Sequence, residues 1–300
     1  MNILNPEYSS FGVIQKEGFD IIRIPCGNCL ACMLNRSREW AIRCMHEMKT
    51  STTGCFVTLT IDSERKLYDD MDYSLNRRDI QLFIKRLRKE IDPVRIRYFY
   101  CGEYGAKRLR PHYHILIFGY DFPDKVLWRV NPVLSRFSNY NRPVCLYRSP
   151  LLERLWPFGF STIGELNFRT AAYTARYCLK KSGIISKYHH YADRTPEFIG
   201  CSLKPGIGYD YFKQYYNDFY AIDSCLDPDK HRVKIPRYYD KCFEIIDPDR
   251  FKLIKEQRKL KAQKVDEKEF LSSRLFQKEQ ICKYRVENLI RSYENALEDY

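Results

Sequence analysis

The chain has 300 residues, 44% of them hydrophobic and 15% aromatic, enough to bury a core in one large domain or two ordinary ones. Its 51 lysines and arginines outweigh 38 acidic residues, and the resulting charge of +13 favours a polyanionic partner, nucleic acid first. A charged content of 30%, with no apolar run near the ~18 residues a spanning helix needs, argues against an integral membrane protein.

The opening residues lack a basic stretch followed by an apolar one, so no secretory leader is expected and the cytosol is the default location. The 12 cysteines are then expected to be reduced, several of them buried. "CGNCLAC" sets Cys26, Cys29 and Cys32 at C-x2-C-x2-C. A structural zinc there wants a fourth ligand, and Cys44 and His46 on the following helix are candidates, with Cys55 further off. An iron–sulfur cluster is a second reading and three buried thiols in a turn a third.

"CFVTLTID" (55–62) alternates and is rich in β-formers, which predicts a strand. "LNRRDIQLFIKRLRKEI" (75–91) places Ile80, Phe83, Ile84, Leu87 and Ile91 at helical spacing. Asn76 reads as its N-cap, with Asp79 three positions on as a weak capping box, and Pro93 closes the region. "RIRYFYCGEYG" (95–105) and "HYHILIFG" (112–119) read as strands joined across Gly105 and Pro111 as an antiparallel hairpin. "FGFSTIGELN" (158–167) predicts a fourth strand, and "FRTAAYTARYCLKK" (168–181) a helix ending at Gly183. "KPGIGYDYFKQYYNDFYAID" is a Gly/Pro loop leading into an aromatic helix, and Phe251 to Tyr300 reads as charged, helical and peripheral. The order of elements predicts an α+β fold with an antiparallel sheet.

Two of the six histidines, His112 and His114, stand one residue apart at the mouth of a strand. Strand side chains at i and i+2 share a face, so both imidazoles can hold one ion while Tyr113 points the other way. The run Ile115–Phe118 is apolar on both faces, as in a central strand. Glu103 in "CGEYG" lies where the hairpin would bring it beside them. Two imidazoles, a carboxylate and open positions suit Mg²⁺ or Mn²⁺ with substrate oxygens completing the shell.

An open divalent site in a basic protein invites phosphodiester chemistry, which needs a nucleophile. Among 24 tyrosines there are four Y-x3-Y pairs, at 100/104, 173/177, 211/215 and 216/220, so spacing alone selects none. Tyr100 and Tyr104 fall in a strand and turn, and the last two pairs lie in the dense aromatic helix, where packing explains them. Tyr173 and Tyr177 share a helix face with few other aromatics, next to Arg176 and one turn before Lys180 and Lys181. Cations there would hold a phosphate and favour the phenolate. The basic segments "KRLRKE" and "AKRLR", with Tyr98, Phe99 and Tyr100 nearby, are candidates for phosphate contacts and base stacking. His189 and His190 are adjacent and receive no role. No G-x4-G-K-[ST] is present, so no motor is expected.

"HYH" preceded by "GEYG", the strand "FVTLTID" and "YTARYCLKK" resemble the HUH endonucleases, the rolling-circle replication initiators. The two-tyrosine form, with "PCGNCLAC", "REWAIRCMHE", "RPHYHILIFG", "KPGIGYDYF" and "IPRYYDK", resembles the replication proteins of the gokushovirus branch of microviruses over residues 24–240. The resemblance implies a sheet of about five antiparallel strands flanked by helices, ferredoxin-like or RRM-like; the charged C-terminal extension is expected to be mostly helical. It implies His112, His114 and Glu103 as ligands of Mg²⁺ or Mn²⁺, Tyr173 and Tyr177 as nucleophiles, and Lys180 at the scissile phosphate. The reaction implied is nicking and joining of single-stranded or supercoiled circular origin DNA through a 5′-phosphotyrosine, with helicase and polymerase supplied by a bacterial host in whose cytoplasm the protein works. The likeness also covers Cys26, Cys29, Cys32 and His46, but not Cys44.

The chain is thereby divided into a Cys-rich segment and helix (1–50), an endonuclease domain (51–183) and an aromatic, helical extension (184–300). Two other classes compete. A zinc-containing nucleic-acid-binding protein without catalysis needs neither histidine, and a metal-dependent nuclease using activated water needs neither tyrosine.

Overall fold

The computed structural model describes residues 11–14, 22–25, 27, 29–62, 74–105, 110–131, 144–180, 194–227, 230–264 and 267–297. Its centre is a seven-stranded antiparallel sheet made of β3 (Gly54–Ile61), β4 (Arg97–Tyr104), β5 (Pro111–Phe118), β6 (Val126–Asn131), β7 (Val144–Arg148), β8 (Gly159–Glu165) and β9 (Phe198–Cys201). The strands lie in the order β6-β7-β8-β3-β5-β4-β9, so β3 and β5 sit in the middle. The strand–helix–hairpin–strand–helix reading holds, and β6, β7 and β9 carry the sheet past about five strands. A short hairpin, β1 (Phe11–Ile14) with β2 (Ile22–Pro25), stands apart from it.

Each face of the sheet is apolar for its own reason. Odd-numbered residues of β3 and β5 (Val57, Leu59, Tyr113, Ile115, Ile117) bury against α2 (Arg77–Glu90) and α3 (Pro150–Leu155). Helix α2 presents Ile80, Phe83, Ile84 and Leu87 at i, i+3, i+4 and i+7, each contributing roughly 1.5–3 kcal/mol by leaving water. Asn76 caps it, accepting from Arg78 N at 2.9 Å. Asp79 does not close the capping box; its carboxylate instead accepts from the Tyr113 hydroxyl at 3.1 Å.

Even-numbered residues (Phe56, Leu116, Phe118, with Phe99 of β4) pack under α1 (Leu30–Thr50) and α4 (Phe168–Lys180). The helices offer small groups there, Ala41 and Cys44 from α1 and Ala171 and Ala175 from α4, which lets their backbones approach closely. The start of α4 is fixed by reciprocal bonds, Thr170 N to Asn167 Oδ1 (3.1 Å) and Asn167 N to Thr170 Oγ1 (3.0 Å).

A second, aromatic core joins α1 to α5 (Tyr209–Ala221), α6 (Arg237–Ile246) and α7 (Pro248–Gln263) through Ile42, Phe212, Phe219, Tyr220, Tyr239, Phe243, Phe251 and Ile254. Tyr220 stacks on Phe243 at 3.8 Å between centroids, which gives the tyrosine pairs of α5 a packing role. Glu47 of α1 pairs with Arg97 of β4 and accepts from Gly208 N at 2.6 Å, tying the two cores together. Helix α8 (Ser272–Leu297) follows a short 3-10 turn and touches the start of α1, where Cys282 packs on Leu30 and Met33. No helix among the described residues is long and apolar enough to cross a membrane.

Candidate active site

Residues directly opposite in an antiparallel pair point to the same face, so register decides which side chains meet. Across β4 and β5, Cys101 stands opposite His114 and Glu103 opposite His112. Across β3 and β5, Thr58 stands opposite His114 and Thr60 opposite His112. Both histidines, both threonines and Glu103 therefore share the face under α1 and α4. Tyr113 turns to the other core, where its hydroxyl accepts from Asn76 N at 2.9 Å. Burial, with Asp79 beside it, pushes that phenol well above its ordinary pKa and keeps it protonated.

The threonines orient the imidazoles. Thr58 Oγ1 lies 3.0 Å from His114 Nδ1, and Thr60 Oγ1 lies 2.9 Å from His112 Nδ1. With Nδ1 engaged toward β3, each ring is left to use Nε2 for a ligand, the division of labour seen at metal-binding histidines generally. Phe56 stacks flat against His114, with centroids 5.5 Å apart, and fixes the ring plane. Beyond the hairpin, a Cβ built on Gly105 would stand 2.7 Å from His112 Nε2, so only glycine leaves that nitrogen its space.

On the open side, His114 Nε2 meets Glu103 Oε1 at 2.5 Å. The Tyr173 hydroxyl donates to the same Oε1 at 3.0 Å and stands 3.4 Å from His114 Nε2. Glu103 and His114 are each only 5% exposed, while His112 and Tyr173 are half-buried. Helix α4 thus delivers a phenol oxygen to the two groups that the hairpin brings together.

The donor set of two imidazoles and a carboxylate, next to a phenol, fits a hard divalent ion. Glu103 and His114 would hold such an ion together only once their 2.5 Å contact opens to admit it. Among the described residues, no group of three or more His, Cys, Asp or Glu side chains is arranged as a ready-made ion cage.

Residues 54–182 match the model of the replication-associated protein ORF2 family. Over 264 residues the chain is 34% identical to "Replication-associated protein ORF2" of Spiroplasma virus 4, covering 84% of this chain and 78% of that protein. The chain belongs to this family. The chain is also 30% identical over 250 residues to "Replication-associated protein VP4" of Bdellovibrio phage phiMH2K, covering 81% of this chain and 74% of that one. With ORF4 of Chlamydia phage 1 it shares 28% identity over 233 residues, 72% of this chain and 52% of that one. No solved structure matches. The matched span of the family model holds β3, the hairpin and α4, and with them every side chain of the site.

Other residues singled out from the sequence fall elsewhere. Tyr177 and Lys180 lie on α4, but their side chains, like Cys26, His189 and His190, are outside the described residues. Cys29 caps α1, its Sγ accepting from Cys32 N at 3.5 Å. His46 does not join these cysteines. It lies fourteen residues past Cys32 on the same helix, about 21 Å along the axis, in the aromatic core. There its Nδ1 bonds the Tyr239 hydroxyl at 2.9 Å and its ring stacks on Tyr211 at 4.2 Å. Burial pulls its pKa down to about 3, with Lys49 adding to the effect. Cys44 and Cys55 are buried core residues of the two sheet faces.

Of the three residues expected to stack on bases, Tyr98 is half-buried and the other two are covered. Phe99 is fully buried against Trp40, with centroids 4.9 Å apart, and Tyr100 is buried in the core under α2. "KRLRKE" belongs to α2, on the sheet face away from the histidines, and residues 106–109 of "AKRLR" lie outside the described residues. Thr58, Thr60 and Gly105 are not among the candidates read from the sequence. A threonine pair spaced like H-x-H on a predicted strand is the signal that could have found two of them.

Proposed function

We propose that the protein starts rolling-circle replication by cutting one strand of origin DNA with Tyr173 and holding the 5′ end as a phosphotyrosine. The observation behind this reading is the Tyr173 hydroxyl at 3.0 Å from Glu103 and 3.4 Å from His114. His112, His114 and Glu103 would hold Mg²⁺ or Mn²⁺. When bound, the ion draws electron density from the scissile phosphate and fixes its orientation for in-line attack.

The chain's own groups do the rest. Helix α4 presents Tyr173 Oη, Glu103 Oε1 gives the phenol proton an acceptor, and the threonines keep both rings from turning. Attack forms a bond from Oη to phosphorus as the bond to the 3′-oxygen breaks, and that oxygen takes a proton from solvent water to leave as a 3′-hydroxyl that a host polymerase extends. One phosphoester replaces another, so the strand can be resealed without an external energy source. Tyr177, one turn along α4, serves the second cut after a round of synthesis, and Lys180 neutralises the phosphate. The net charge of +13 supports retention of single-stranded DNA, and a host helicase supplies the unwinding.

The test is a denaturing gel of the protein incubated with labelled single-stranded origin DNA and Mn²⁺. A labelled band that migrates with the protein and disappears after protease treatment is expected. Cleavage that leaves only free 5′-phosphate ends would replace the tyrosine with water and overturn the proposal.

A further inference from the structure

Phe160 is 48% exposed although it lies on a strand at the heart of the sheet. Register gives its position. Phe160 stands opposite Thr60, Thr60 opposite His112, and His112 opposite Glu103, so one straight row crosses four strands on the face of the site. In that row Thr60 bonds His112, and Phe160 is the next side chain outward. Two strand spacings separate it from His112, about 10 Å. Helix α4 packs mainly over β4, β5 and β9 rather than over β8, the strand of Phe160.

We infer that Phe160 is a stacking platform for a base of the single strand held at the histidines, about one to two nucleotides from the scissile phosphate. A lone exposed aromatic is ordinary on a protein surface. This one shares a face and a row with the site, at a reach that a phosphate chain spans, in a protein of strong positive charge. An exposed aromatic beside a basic strand-binding site is the element that sequence-tolerant single-strand binders use. Stacking would also hold the strand against sliding, so that one phosphate rests at Tyr173. The inference rests on the DNA-cutting reading only for what the strand is doing there; the platform itself requires that single-stranded DNA lies on this face.

Cross-linking tests it with the full chain and oligo(dT) carrying 5-iodouracil at single positions. Irradiation is expected to join one or two adjacent positions to the peptide holding Phe160. Phe160→Ala should abolish that product and weaken oligo(dT) binding by about five- to a hundredfold. Phe160→Trp should restore both, and an unchanged circular dichroism spectrum shows that the alanine variant folds. Unaltered affinity in Phe160→Ala, or cross-links confined to other peptides, would overturn the platform. If Phe160 cross-links but no covalent adduct ever forms with origin DNA, the platform stands and the nuclease proposal fails. If the adduct forms while Phe160→Ala binds normally, the reverse holds.

Discussion

His114 and His46 are buried almost equally, at 5% and 3% exposure, and each has a phenol within reach. What surrounds them differs. His114 keeps Nδ1 on a threonine and turns Nε2 toward a carboxylate and a half-buried tyrosine at the edge of the sheet face. His46 is stacked among Tyr211, Phe219 and Tyr239, and no carboxylate among the described residues is hydrogen-bonded to its ring. Burial alone therefore separates nothing. A histidine is equipped for chemistry when one nitrogen is tied down and the other faces a charged partner, and equipped for packing when its ring faces are covered.

The sharpest way to break this contrast is to remove the phenol beside His114. Tyr173→Phe should slow formation of the first protein–DNA adduct by at least about 1,000-fold, as loss of a nucleophile does, read by gel in single-turnover time courses. Tyr177→Phe should keep the first adduct and lose strand transfer; equal loss in both variants would show that Tyr173 holds no special place.

Next come the threonines. Thr58→Val keeps shape but takes the partner from His114 Nδ1, and should weaken Mn²⁺ binding by about 10–100-fold in calorimetric titration. A variant that binds Mn²⁺ as tightly as the parent would show that the ring needs no such anchor. Gly105→Ala is expected to do less. Its new Cβ crowds His112 Nε2, and a ring displaced slightly should lose less than about tenfold in the same titration.

His46 provides the opposite arm. Its folded-state pKa of about 3 lies below the ordinary 6.5, so below pH 6.5 the unfolded chain takes up a proton that the folded one refuses. Its contribution to stability is full above pH 6.5 and is lost as pH falls toward 3. His46→Phe keeps the stacking and cannot titrate, so scanning calorimetry should show a shallower fall in Tm between pH 6.5 and 4, with Mn²⁺ binding unchanged. A loss of Mn²⁺ affinity in that variant would merge the two regions.

The central hairpin and the side chains it brings together are legible because strand period and histidine spacing coincide at 112–114, and because "GEYG" sits at the matching end of the paired strand. Helix α4 is legible from its alanines. The threonine contacts are not, since they depend on β3 lying beside β5, a pairing across more than fifty residues that no local pattern encodes. Strands β6 and β7 escape notice for another reason. Val126, Leu127 and Val130 are exposed, so β6 shows none of the alternation that marks a half-buried strand. A place for His46 beside the cysteines fails because nearness along the chain is not nearness in space on a rigid helix.

Helix α1 faces both ways. Ala41 and Cys44 sit on the sheet, and Ile42 and His46 enter the aromatic core one step round the same cylinder. A fragment ending after α4 would leave the outer stripe of that helix wet, while a fragment starting at β3 would uncover Phe56, Leu116 and Phe118. The sheet and its helices therefore have no clean seam at either end. Insertions that spare it belong in the surface loops, since excision would leave a raw apolar wall.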